Sequence, residues 1–277
     1  MNDFSARRSH QVYNKAKIVR QYAEASQLNP VEHLILKELL PEIKSKRLLD
    51  IGVGGGRTTG ALLEISQNYT AIDSAAEMVA LTRKRFGLES VWCCDARDMR
   101  RFANSSFDFA LFSFNGIDYV SYQDRLRIIS EVARVLCAGG LFMFSGHNRN
   151  FRYFGKLPWQ EGRSKLTPEF IKEILSTLVF LPRHLRLKQH ELYESDYAIV
   201  NDNLHRYSLL TCYVTISAQT RDLVQAGFSE VRAYDRKGKR VTTDDSSRWI
   251  DYVARKSSFT NDGPAYTELS QLKGSST

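Results

Sequence analysis

The chain has 277 residues, 43% hydrophobic and 25% charged, with a formal net charge of +8. That length suits one large domain or a domain with an insertion, and no apolar run approaches the roughly 20 residues that cross a bilayer. The basic surplus invites a polyanion, but Lys and Arg are scattered without a run of four, which favours a solvated surface or a pocket for an anionic small molecule. Cys93, Cys94, Cys137 and Cys212 have no C-x-x-C spacing and no nearby His in ligand spacing, so the sequence predicts neither a disulfide framework nor a metal site. The first eight residues carry charge with no apolar stretch after them, so no secretory leader, no membrane span and a cytoplasmic protein are expected.

In chain order, 12–25 and 31–43 read as helices, the second opened by Pro30. From Arg47 onward, short β-rich runs at 47–51, 69–72, 90–93, 107–113 and 141–145 alternate with amphipathic stretches at 58–66, 75–85 and 122–136. This alternation predicts an α/β fold, a wound parallel sheet covered by helices. Gly139-Gly140 is expected to stop the third of these helices. The alternation breaks at 146–216, where aromatic and basic residues accumulate. There Thr167-Pro168-Glu169 starts a helix, and runs at 191–200 and 207–216 flank an Asn201-Asp202-Asn203 turn. Ser217 is expected to cap a helix through Ala226 that Gly227 ends, followed by strands at 229–235 and 248–255 that pair antiparallel. The predicted division is N-terminal helices over a ligand site at 1–44, a core at 45–146 and 217–256, an inserted substrate cap at 147–216, and a disordered tail at 257–277.

The chemistry begins at the end of the first strand, in Leu48-Leu49-Asp50-Ile51-Gly52-Val53-Gly54-Gly55-Gly56. Glycines between a strand and a helix let backbone approach a ligand closely. A dinucleotide fingerprint would carry its third glycine where Arg57 stands. Asp50 can act on an ammonium group directly or through water, or can simply cap the turn. Asp73 ends the second strand, where a carboxylate can accept both ribose hydroxyls. Asp95 follows the third, placed for an adenine amino group, with the Ala96 amide toward the ring. Acids at three successive strand ends point to a nucleoside other than a dinucleotide.

The strings LLDIGVGGGRT, AIDSAAEMV, CDARDM, FDFALFSFNGIDYV and EVARVLCAGGLFMFSGHN resemble, in order and spacing, the motifs of class I S-adenosylmethionine-dependent methyltransferases. The resemblance covers about residues 13–256. It implies a Rossmann-like, seven-stranded, mostly parallel sheet with its last strand antiparallel, helices on both faces and an inserted cap. It also implies S-adenosyl-L-methionine as cofactor, with S-adenosyl-L-homocysteine as product. Gly52, Val53, Gly54 and Gly56 would pass over the methionine and ribose. Asp73 with Ser74 would hold the ribose, and Asp95 with Ala96 and Arg97 the adenine. Met78 would pack on the nucleoside, Phe114 and Asn115 would lie beside the sulfonium, and Tyr13 and Tyr22 would close the pocket. Many members have Cys-Gly-Thr-Gly where this chain has Val53-Gly54-Gly55-Gly56.

Methyl transfer from a sulfonium is an in-line displacement, so alignment and exclusion of water dominate, and a base matters only when the acceptor must lose a proton. Candidates at strand ends are Asn115, Asp118 and Tyr119 after the fourth strand and His147 after the fifth. FSFNGIDY lacks the Asn-Pro-Pro-Tyr signature of many nucleic-acid amino-methylating enzymes, which disfavours a nucleic-acid substrate. The aromatic cap suits a small acceptor, and Arg152, Lys156, Arg163 and Arg183 suit an anionic group on it. The expectation is a methyltransferase acting on N or O of a small, anionic or aromatic molecule. A tRNA or rRNA methyltransferase and a non-catalytic S-adenosylmethionine-binding subunit are the alternatives.

Overall fold

The computed structural model describes residues 7–8, 11–12, 27–161, 167–243 and 245–258. Tyr13, Tyr22, Arg163, all of the first predicted helix except Val12, and the tail beyond Ser258 lie outside the described residues.

Helix α1 (Pro30–Ile43) precedes strand β1 (Leu48–Ile51), helix α2 (Thr59–Ile65) and strand β2 (Tyr69–Asp73). Helix α3 (Ala76–Phe86), β3 (Val91–Cys93), β4 (Phe107–Phe112), helix α4 (Tyr122–Val135) and β5 (Leu136–Asn148) follow. The chain then forms α5 (Pro168–Lys188), three short strands, β6 (Leu192–Tyr193), β7 (Tyr197–Val200) and β8 (Thr211–Val214), and helix α6 (Ile216–Gln225). It closes with β9 (Phe228–Tyr234) and β10 (Trp249–Lys256).

The core strands run in the order β3-β2-β1-β4-β5-β10-β9. β1 lies parallel to β2 and β4, with Leu48 opposite both Tyr69 and Phe109, while β10 is antiparallel to both β5 and β9. All four residues of β1 are buried, as a strand covered on both faces requires. On one face Phe142, Phe144, Tyr252 and Ala254 pack with Ile128, Ile129 and Val132 of α4 and Leu223 of α6. On the other, Leu48, Leu111, Met143 and Val253 pack under Val31, Ile35, Leu36 and Leu39 of α1. The seven-stranded core with an antiparallel last strand is therefore present.

Three local expectations change. Gly139-Gly140 does not stop α4, which ends at Val135; the pair lies inside β5, where the β4–β5 register jumps from Phe107↔Leu136 to Phe109↔Leu141. Gly139, at φ 77°, supplies the left-handed residue of that bulge. Helix α6 is capped by Thr215, whose side chain accepts the Ala218 N–H at 3.2 Å, rather than by Ser217, which lies within the helix. Asn201-Asp202-Asn203 is no hairpin turn: 201–210 is a longer connection holding the single 3-10 turn Leu204–Tyr207.

Thr167 does cap α5, accepting the Phe170 N–H at 3.2 Å, with Pro168 in the first turn. The strands of 147–216 are not a separate layer. β4 ends at Phe112, opposite Phe144, and β8 takes up the edge of β5 beyond it, pairing Tyr213 with His147 and Val214 with Asn148. Among the described residues the sheet so extended has ten strands.

Candidate active site

At the end of β1, Gly52, Gly54 and Gly56 have φ of 65°, 54° and 80°, a region costly to side chains with a Cβ. A Cβ on Gly52 would sit 2.7 Å from the Phe112 ring, and one on Gly56 would sit 2.5 Å from that of Phe86. Two of the glycines are thus required by the protein's own aromatic packing. The Gly54 N–H donates to Asp73 at 2.9 Å, and Asp73 also accepts the Ala75 N–H at 2.8 Å, which binds the loop to the end of β2. Ser74 beside it is exposed, whereas Met78 is buried.

Asp50 is buried and already served by two donors, Thr58 Oγ1 at 2.6 Å and Tyr69 OH at 2.9 Å. Burial pushes its carboxyl up to about 6 against the pull of those hydroxyls. Asp95 is paired with Arg97 at 2.6 Å, and Arg97 reaches on to Asp124 at 3.2 Å. Burial raises the Asp95 carboxyl, but the Arg97 hydrogen bonds outweigh it and leave the group below its usual value. Ala96 is half-buried against the core beside it. Arg57 is a tie: its guanidinium grips Glu32 of α1 through two contacts of 2.7 Å, donates to Ser113 Oγ at 2.9 Å, and lies over the Phe114 ring at 5.1 Å.

After β4 the chain turns sharply, with Phe114 and Asn115 at φ 55° and 57°. Phe114 is 41% exposed. The Asn115 N–H donates to Ser145 Oγ at 2.9 Å, while the buried Asn115 Oδ1 has no partner among the described residues. The 3-10 turn Gly116–Asp118 then aims Asp118 inward. One Asp118 oxygen accepts from Arg125 of α4; the other accepts the His147 N–H at 2.6 Å and faces His147 Nδ1 at 2.8 Å. Arg125, buried, also donates to Gln219 of α6. A carboxylate opposite Nδ1 selects the Nδ1–H tautomer and leaves a lone pair on Nε2. His147 is buried, and among the described residues its Nε2 has no hydrogen-bond partner.

Rings connect this pair to both ends of the site. Phe114 meets Trp249 edge-on at 5.4 Å, Trp249 meets His147 at 5.7 Å, and His147 lies 4.8 Å from Tyr213. Tyr213 continues to Phe154 at 5.1 Å, and Tyr119 lies 6.4 Å from His147. The buried Trp249 Nε1 also has no partner among the described residues.

The structure thus gathers Phe114, Asn115, Asp118, Tyr119 and His147 into one place. It does not gather the cap cations expected there: Arg152 and Lys156 lie over Tyr153, and Arg183 donates to Ser208 Oγ at 2.7 Å. Arg149, next but one to His147 in the chain, lies over Phe154, and Arg248, next to Trp249, lies over Phe151; each has a buried Nε with no hydrogen-bond partner among the described residues. Sequence reasoning missed Arg125, Gln219 and Trp249. A signal existed for Arg125, which shares the buried face of α4 with Ile128, Ile129 and Val132. Gln219 and Trp249 carried none, because only the folded chain brings them to Arg125 and His147. Among the described residues no His, Cys, Asp or Glu cluster could hold a metal, and no helix is long and apolar enough to cross a membrane.

Residues 49–144 match the protein family described as "Methyltransferase domain". The chain is 34% identical over 127 residues to the ubiquinone biosynthesis O-methyltransferase of Xanthomonas oryzae pv. oryzae (strain PXO99A), a match that covers 44% of this chain and 51% of that protein. The chain therefore spans about half the length of the curated relatives it matches. A Thermotoga maritima structure described as an S-adenosylmethionine-dependent methyltransferase, possible histamine N-methyltransferase, superposes with TM-score 0.54 at 19% identity, covering 90% of this chain and 99% of that one. Burkholderia thailandensis 1,6-didemethyltoxoflavin-N1-methyltransferase, solved with 1,6-didemethyltoxoflavin and S-adenosylhomocysteine, superposes with TM-score 0.56 at 16% identity, covering 93% and 91%. At these identities the two solved structures establish the fold.

Proposed function

We propose that this chain, a member of the class I S-adenosylmethionine-dependent methyltransferases, carries the donor's methyl group to an oxygen or nitrogen of a small-molecule acceptor by in-line displacement. The donor, when bound, supplies a carbon already activated by sulfonium. The site fits it: a left-handed glycine turn leads to Asp73, and the exposed Phe114 stands beside the unpartnered Asn115 Oδ1. Gly52 to Gly56 and Asp73 would hold its methionine and ribose, and Asp95, Ala96 and Met78 its adenine.

The observation that carries the acceptor side is the buried Asp118–His147 pair with its free Nε2. Asp118 fixes the ring and stabilises the imidazolium, and Nε2 takes the proton that a hydroxyl or ammonium must lose. Arg125 holds Asp118 from below. Tyr119, Tyr213 and Trp249 enclose the acceptor and exclude water, which suits a planar aromatic molecule. Arg149 and Arg248 favour an anionic group on it.

The test is release of S-adenosylhomocysteine with a panel of small phenols, hydroxy acids and amines. His147→Ala should lower kcat about 10²- to 10⁴-fold, as loss of a general base does, while donor affinity holds. No turnover with any acceptor, or an unchanged kcat in the variant, would overturn the assignment.

A further inference from the structure

Six carboxyl side chains are buried among the described residues: Glu32, Asp50, Asp118, Asp124, Asp222 and Asp251. Five are held by an arginine, a histidine or hydroxyl groups. The Asp251 carboxyl, on a residue 4% exposed, accepts no hydrogen bond and forms no ion pair among the described residues. Its place is informative. On β10 it stands opposite Ser145 of β5 and Tyr234 of β9, and by strand alternation it shares a face with Val253, toward α1. Ser145 is the residue that receives the Asn115 N–H, and Trp249, two residues away on the same face, touches Phe114. Asp251 therefore borders the Phe114–Asn115 turn and the glycine loop's Arg57.

A buried carboxylate needs a cation or a proton. Burial and the nearby Glu32 of α1 push Asp251 up to about 8, while Arg236, after β9, and Arg57 pull it down. Neither arginine neutralises it. Arg57 is already gripped by Glu32, and Arg236 lies over Trp249 at 4.3 Å. Asp50, which the sequence suggests as the partner of an ammonium group, has its donors in Thr58 and Tyr69.

We propose that Asp251 is the receptor for a primary ammonium group, that of the methyl donor's methionine, which enters as the carboxyl gives up its proton to solvent. The assignment rests on the donor reading above. The ammonium keeps its own protons and donates one to Asp251. Near neutral pH the free protein holds the carboxyl protonated, so donor affinity rises by up to about tenfold per pH unit from pH 6 toward 8.

Isothermal titration with S-adenosylhomocysteine and with its analogue lacking the α-amino group tests this, run at pH 7 in two buffers of different ionisation enthalpy. The wild type should bind S-adenosylhomocysteine about 30-fold more tightly than the analogue, as a charge-assisted hydrogen bond implies. It should release a proton with the first ligand and none with the second, a readout that needs no variant. Asp251→Asn should bring the two affinities within about threefold by removing the same bond, leaving the analogue's own affinity unchanged. An unchanged ratio in the variant, an equal loss for both ligands, or no proton release by the wild type would overturn the proposal. Failure of the wild type to bind either ligand would overturn the donor reading itself, and this inference with it.

Discussion

The two halves of the site are built differently. On the glycine-loop side, between β1 and β3, polar groups are tied to one another: Asp50 to Thr58 and Tyr69, Asp73 to the Gly54 amide, Asp95 to Arg97. Each of these partners lies within about one strand-helix unit along the chain. At the far end of β5, buried polar atoms are without a partner among the described residues: Asn115 Oδ1, His147 Nε2 and Trp249 Nε1. Their neighbours come from distant segments, such as Gln219 on Arg125 and Trp249 on His147. A prearranged turn can be specified locally, whereas groups reserved for a ligand must be kept unsatisfied by the surrounding fold, at a cost in stability.

The comparison can be broken most forcefully at Arg125. Arg125→Met leaves Asp118 buried without its cation, and the expected loss is about 3–5 kcal/mol in urea unfolding, because breaking a buried pair strands a charge. A loss below 1 kcal/mol would mean that the network is not what holds the β5 end. On the loop side, Gly52→Ala should cost about 2–4 kcal/mol, from positive φ together with the clash on Phe112. Gly87→Ala shares a positive φ of 66° but meets nothing within 4 Å, so about 1 kcal/mol is expected there. Equal losses at the two glycines would remove the packing argument.

The same comparison extends to a pH dependence. Asp50 is raised to about 6 from its ordinary value, so the folded state binds the proton more tightly than the unfolded chain. Stability contributed by that proton is fully present below about pH 4 and is lost as pH rises through about 6, by something on the order of 2–3 kcal/mol. Asp50→Asn should flatten the urea midpoint across that window; an unaltered slope would place the dependence elsewhere.

How much could be seen beforehand follows the same division. Loop glycines, strand-end acids and the order of core elements are local patterns of period and spacing, and those elements stand where the spacing puts them. Asp118 and His147 were visible as strand-end residues, but their contact, 2.8 Å across 29 positions, was not. Gly139-Gly140 misled because two glycines mark a helix stop and a strand bulge equally well; the pairing of β4 with β5 decides between them.

The sequence by itself determined the alternating fold and the glycine turn with its aspartates, because hydrophobic period and turn chemistry act over a few residues. Only the tertiary structure decided which buried groups keep a partner. It extended the sheet through β8, set Arg125 beneath Asp118, turned Asp50 inward and left the buried Asp251 carboxyl without a hydrogen-bond donor among the described residues. The reason is physical: burial and hydrogen-bond satisfaction depend on what the other strands and helices bring, which no local window of sequence contains.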